Sequence, residues 1–257
     1  VNGLALRRRA LLLGLLLGLA PAPALAESLI TTISSSVVKI TSTYTGAELV
    51  VFGVIERDGR EGARTQAYDV VVTARGPEGS TVVREKVRFG PIWVNLNQRK
   101  FVGVPATLAV LSNRPLGDIA EPHLRQRYRI GLEMNVGAGG TDPAWDAAFR
   151  DALIRLKHDG GLYLEDPRGV TFLSASVFRA TVPVPATAPV GPYRVDISLL
   201  SNGVELTRSE TAFEVNKVGF EQAVAQQARD HGWGYGLLTA TIALAFGYMA
   251  TIIFRRD

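Results

Sequence analysis

No cysteine occurs among the 257 residues. That absence excludes disulfides, thiolate nucleophiles, iron–sulfur clusters, cysteine zinc sites and c-type haem attachment. Histidine is scarce as well: His123, His158 and His231 are the whole set. None stands in an H-x-H, H-x-x-E or H-E-x-x-H spacing, so they read as surface or capping residues rather than metal ligands. No G-x-S-x-G marks a hydrolase nucleophile. Gly137-Ala138-Gly139-Gly140 lacks the Lys-Ser/Thr of a phosphate loop and reads as a linker. No catalytic residue, no metal and no cofactor is expected.

An excess of one charge is missing from the bulk of the chain. The formal net charge is +4, and Arg7, Arg8, Arg9, Arg255, Arg256 and Asp257 account for all of it, leaving 23 basic and 23 acidic side chains over residues 27–232. A nucleic-acid binder needs a basic excess on its folded part, so no nucleic-acid partner is expected. The net charge speaks of topology instead.

Two long apolar runs are present. Arg7-Arg8-Arg9, the stretch Ala10 to Leu19 and Ala24-Leu25-Ala26 follow the order of a secretory signal: positive, apolar, then a small-residue cleavage pattern. Residues 1–26 are therefore expected to be a signal peptide, the alternative being an uncleaved anchor. Trp233 to Phe254 holds 22 residues without a charge. As a helix that run is about 33 Å long, enough to cross a hydrocarbon core of about 30 Å. Trp233 and Tyr235 suit the outer interface, and Arg255 and Arg256 suit the cytoplasmic side. Gly236, Ala240, Ala243, Gly247 and Ala250 recur at steps of four and three, a small-residue face that allows close helix packing. With no ionisable residue in the run, a proton or ion route is not expected. The layout is that of a bacterial inner-membrane protein, single pass, with its ectodomain in the periplasm and its C-terminus in the cytoplasm.

Between these runs the chain is β-rich. Glu48 to Ile55 is a nearly continuous apolar strand, expected to be buried on both faces, with Gly53 allowing a bulge or a close approach. Tyr68 to Ala74 and Val82 to Phe89 flank a Gly-Pro turn, and Val170 to Val184 is extended. Tyr193 to Leu199 alternates strictly, as a half-buried strand does, and Asn202-Gly203 signals a hairpin. Pro185 to Val195 resembles the proline–tyrosine corner of immunoglobulin-like folds. The fold expected is mainly β: an immunoglobulin-like sandwich over 27–218 with a partly helical insertion at 90–160. Two tandem sandwiches are the alternative. A juxtamembrane segment covers 219–232, the span 233–254 and the tail 255–257.

The insertion carries the clearest soluble helix. Asp142 is a plausible N-cap and Pro143 fits the first position. Trp145, Ala148, Phe149, Ala152, Leu153 and Leu156 form one apolar stripe, and Asp146–Arg150 and Asp151–Arg155 are spaced to pair. Trp93 and Trp145 read as core, or else as partner anchors. Residues 118–129 also look helical. Arg125, Arg127 and Arg129 form a basic cluster there, a candidate anion site if extended and a solvated face if helical.

The ordered segments Ser35 to Gly53, Phe149 to Lys157 with Gly161-Leu162-Tyr163, Phe178 to Ala180, and Lys217 to Glu221 before a span ending Phe254-Arg255-Arg256 resemble an alphaproteobacterial family of transmembrane proteins of unknown function. The resemblance brings no catalytic residues. The neutral, motif-poor ectodomain on a single anchor is expected to be a non-enzymatic interaction module working with another integral membrane protein, a transporter or a second copy, and the resemblance adds the suggestion of a transport accessory. An oxyanion-binding accessory of a sulfite-type exporter, and a membrane-anchored hydrolase, are the alternatives.

Overall fold

A computed structural model describes residues 27–41, 44–56, 67–137, 143–219, 228–229 and 231–253. The expected signal peptide, the expected Asp142 cap, the side chain of Trp145, most of the juxtamembrane segment and Arg255 and Arg256 lie outside the described residues. One sheet holds β1 (Ser28–Ile33), β3 (Gly46–Glu56), β10 (Val177–Pro185) and β9 (Val170–Phe172), all antiparallel, in the order β1-β3-β10-β9. The second holds six strands in the order β2 (Val37–Ile40), β12 (Val204–Lys217), β11 (Gly191–Ser201), β4 (Asp69–Arg75), β7 (Leu108–Ser112) and β8 (Tyr163–Asp166). Its two outermost pairings, β2–β12 and β7–β8, are parallel. A separate two-stranded arm is made by β5 (Glu78–Phe89) and β6 (Ile92–Pro105).

The two sheets face each other across one core. Leu49, Val51, Phe178, Ala180 and Val182 meet Val70, Val72, Val195, Ile197, Leu199 and Val215. A second core lies on the far side of the six-stranded sheet. There Val71, Leu108, Val110 and Leu200 are covered by Val83 and Phe101 of the arm and by a helical lobe. The lobe comprises α1 (Leu116–Ile119), α2 (Pro122–Tyr128), α3 (Leu132–Asn135) and α4 (Pro143–Asp159), and contributes Leu116, Ile119, Ile130, Phe149 and Leu153. The chain is thus mainly β, built as sheet, sheet and lobe, with α5 (Gly232–Ile253) beyond. Residues 92–105 and 108–112 are strand, so the insertion read at 90–160 is helical only from Leu116.

Burial on both faces falls on different strands from the one expected. β3 alternates, with Val51 and Ile55 buried but Phe52 and Val54 exposed, because none of the described residues covers the outer face of its sheet. β4, β7 and the second half of β11 are buried on both faces, because they lie between the two cores. At Gly53 the close approach is real: a Cβ there would sit inside the Phe178 ring, and the register runs through without a bulge. Asn202 (φ 51°) and Gly203 (φ 79°) form the expected hairpin turn, where both central residues need a positive φ. The Tyr193 hydroxyl donates to the Pro189 carbonyl at 3.0 Å, closing the proline corner.

One end of the six-stranded sheet gathers several chain crossings. Val215 of β12 lies opposite Gly191, where β11 begins, and Arg75, where β4 ends, lies between Arg194 and Leu108. The arm therefore springs from the same end at which β12 leaves for α5.

Candidate interaction surfaces

Two polar side chains of β11 do not face solvent, although Arg194 of the same strand does. Asp196 and Ser198 are 8% and 4% exposed, because the helical lobe lies over them. Arg75, from neighbouring β4, pairs with Asp196 and donates from Nε to Asn135 Oδ1 at 2.7 Å. Asn135 Nδ2 in turn donates to the carbonyls of Arg129 (3.0 Å) and Gly131 (2.7 Å). Beside this, Ser198 Oγ and Arg208 Nε both donate to Glu205 Oε1 at 2.7 Å, and Arg208 Nη2 reaches the Tyr128 carbonyl at 2.8 Å. The network latches the α2–α3 corner to the sheet. Burial lowers the Arg75 pKa to about 10, helped by the fields of Arg129, Arg208 and Arg194 and opposed by Glu78. Buried polar groups of this kind are costly unless satisfied, and here Arg75, Arg194 and Arg208 each face a carboxylate: Asp196, Glu210 and Glu205.

The arginine cluster is helical, not extended. Arg125 and Arg127 occupy the last turn of α2, and Arg129 caps it in the left-handed region (φ 56°). The three side chains therefore diverge. Arg125 is half-buried, Arg127 lies 5.9 Å from the centre of the Tyr128 ring, and Arg129 is exposed near Arg75. His123 sits beside Glu121 at 3.2 Å and His158 beside Asp159 at 3.7 Å, all four exposed. Among the described residues no group of His, Asp and Glu could hold a metal ion. In α4, Asp146 turns inward to Arg99 of the arm at 3.2 Å instead of pairing with Arg150. Elsewhere, Arg114 clasps the buried Asp69 with two bonds of 2.6 Å.

Two apolar surfaces stand open. The outer face of the four-stranded sheet presents Ile30, Phe52 and Val54, with Ile30 directly opposite Val54, and Leu173 near its edge. The arm presents Val82, Phe89, Ile92, Trp93, Leu96 and Val102. Trp93, expected in the core, is 66% exposed, because it faces away from the lobe on a two-stranded ribbon. Between the arm and α4 runs a groove of about 640 Å³, floored by Val83, Phe149, Ala152 and Leu156.

The last surface is α5, whose 22 residues run without a charge. Gly236, Ala240, Ala243, Gly247 and Ala250 all lie on it, and every described side chain of it is exposed. Thr239, Thr241 and Thr251 return their hydroxyls to the carbonyls of Tyr235, Leu237 and Gly247 at 2.8–2.9 Å. Those bonds meet the need of a polar group in hydrocarbon, where no water is available. The helix is long and apolar enough to cross a membrane. Residues 28–256 match the model of a family described as "Putative transmembrane protein (Alph_Pro_TM)".

The chain belongs to this transmembrane family. No curated protein and no solved structure matches it. Membership agrees with α5, the one candidate span among the described residues, as an anchor of this transmembrane protein. The family description assigns no residue a role, so its candidate sites rest on geometry. Sequence reasoning missed Arg75, Asn135, Asp196, Glu205 and Arg208. On a strand of alternating polarity, a polar face covered by a lobe reads like one in water.

Proposed function

We propose that this transmembrane protein is a non-enzymatic interaction module, held at the bacterial inner membrane by one span and docking a second integral membrane protein from the periplasmic side. The observation that carries this is the open apolar face of the four-stranded sheet. Phe52 and Val54 lie on β3, a central strand, paired on both sides by β1 and β10. They are exposed there without shaping the fold, and contiguous apolar surface of that kind marks contact sites. The small-residue face of α5 supports a second contact inside the bilayer. Trp233 and Tyr235 at its start, and Arg255 and Arg256 after it, favour an ectodomain outside and a cytoplasmic C-terminus. The oxyanion reading of Arg125, Arg127 and Arg129 finds less support, since the three diverge and the neighbouring guanidinium groups face carboxylates.

The test is in-membrane photo-crosslinking from position 52. A crosslinked species larger than the monomer is expected, lost in Val54→Glu and Ile30→Glu proteins of unchanged melting temperature. Recovery of monomer alone from position 52 in native membranes would refute the proposal.

A further inference from the structure

The β5–β6 arm is two-faced. Side chains alternate along each strand, so Arg84, Lys86 and Arg88 share one face of β5. Their register partners Gln98, Asn95 and Trp93, with Lys100 opposite Val82, put β6 residues on the same face. That face holds four cations and no acid. Arg84 Nε reaches Gln98 Oε1 at 3.4 Å and Arg88 Nε reaches the Gly90 carbonyl at 3.1 Å, leaving both free of carboxylates. The opposite face starts buried, with Val83 and Phe101 in the second core, and ends open, with Phe89 paired to Ile92 at the tip. Phe89, Ile92 and Trp93 are thus exposed next to Arg88 at the point farthest from the arm's base.

We propose that the arm tip engages an anionic lipid surface: Phe89, Ile92 and Trp93 enter the headgroup layer while Arg84, Lys86, Arg88 and Lys100 face lipid phosphates. Three observations select a bilayer as the occupant. First, the composition is that of an interface: an aromatic and aliphatic tip beside cations that an anionic leaflet attracts. Second, the arm springs from the end of the six-stranded sheet at which β12 departs for the membrane helix. Third, the reach matches. Residues 218–231 separate β12 from α5, and a chain of that length spans at most about 50 Å. Strands of 12 and 14 residues make an arm of about 40 Å. The tether thus keeps a bilayer within range of the tip, and the arm gives the ectodomain a second point of contact beside its span.

The absence of cysteine makes the test clean. Full-length protein carrying Ile92→Cys, labelled with bimane, is reconstituted in phosphatidylcholine nanodiscs with or without phosphatidylglycerol, each containing doxyl-labelled phospholipid. Val204→Cys, exposed at the far end of β12, serves as the reference. The expected result is strong quenching at position 92 and little at 204, dependent on phosphatidylglycerol. Each cation removed from Arg84→Gln, Lys86→Gln, Arg88→Gln and Lys100→Gln should lower the ratio of bound to free arm about fivefold. Equal quenching at the two positions overturns the proposal. So does quenching at 92 that survives loss of phosphatidylglycerol or of all four cations. These positions are exposed, so the variants should keep the parent melting temperature.

Discussion

Tyr163 heads the fully buried side chains by size, and its hydroxyl donates to the Pro105 carbonyl at 2.8 Å where the arm returns to the sheet. Burial pushes its pKa up, as it does for Tyr193 and Tyr44. A phenol whose folded pKa exceeds its unfolded value of about 10 holds its proton longer in the native state. Its share of stability is intact below pH of about 10 and falls as pH rises beyond it. Burial lowers the pKa values of Arg75 and Lys157 instead, and their contributions rise with pH in the alkaline range. Comparing two proteins isolates the tyrosine. Tyr163→Phe should cost about 1 kcal/mol at neutral pH, and its urea midpoint should fall less steeply than the parent's above pH 10. Parallel alkaline curves would contradict this. At this scale the sequence was partly legible. Gly53 announced a close approach because glycine in a strand interior needs a reason, though Phe178, over a hundred positions away, could not be named as that reason. Asn135 and Asp196 announced nothing, since the Arg75 that joins them comes from a separate segment.

Among the elements, α4 separates what periodicity tells from what it omits. Phe149, Leu153 and Leu156 fall on one predicted stripe, yet Leu153 is 2% exposed and Leu156 is 60% exposed. The helix packs on the second core through a narrower face than its apolar residues span, leaving Leu156 to the groove beside the arm. Leu153→Ala should therefore destabilise by about 2–5 kcal/mol through the cavity it leaves, and Leu156→Ala by less than about 0.5 kcal/mol. Equal losses on thermal denaturation would show that the groove closes in solution. Strands were recognisable from β-branched runs and turn residues, as at Asn202-Gly203. Which strand was buried twice was not, because β3 and β4 are similarly apolar and only the position of the lobe distinguishes them.

For the whole molecule, the mainly β body and the apolar span could be read from composition and hydropathy. The three-layer arrangement could not, because the second core is assembled from the arm, the lobe and the back of a sheet. The small-residue face of α5 belongs to this scale. Gly236→Leu combined with Gly247→Leu should abolish crosslinking within the bilayer while leaving ectodomain melting unchanged, as measured on full-length protein in native membranes. Undiminished crosslinking would place the contact elsewhere on the helix or outside the bilayer.

The pairing of β12 has a mechanical consequence. This strand lies inside the six-stranded sheet, held by β11 along its length and by β2 over its last four residues, Glu214 to Lys217. A pull along the axis of β12 from its C-terminal end runs across the ladder hydrogen bonds rather than in line with them. Those bonds share the load in shear instead of opening one by one from an end. An axial load on this strand is therefore passed to the central sheet, and the strand that links the domain to its anchor is held by two neighbours at its loaded end.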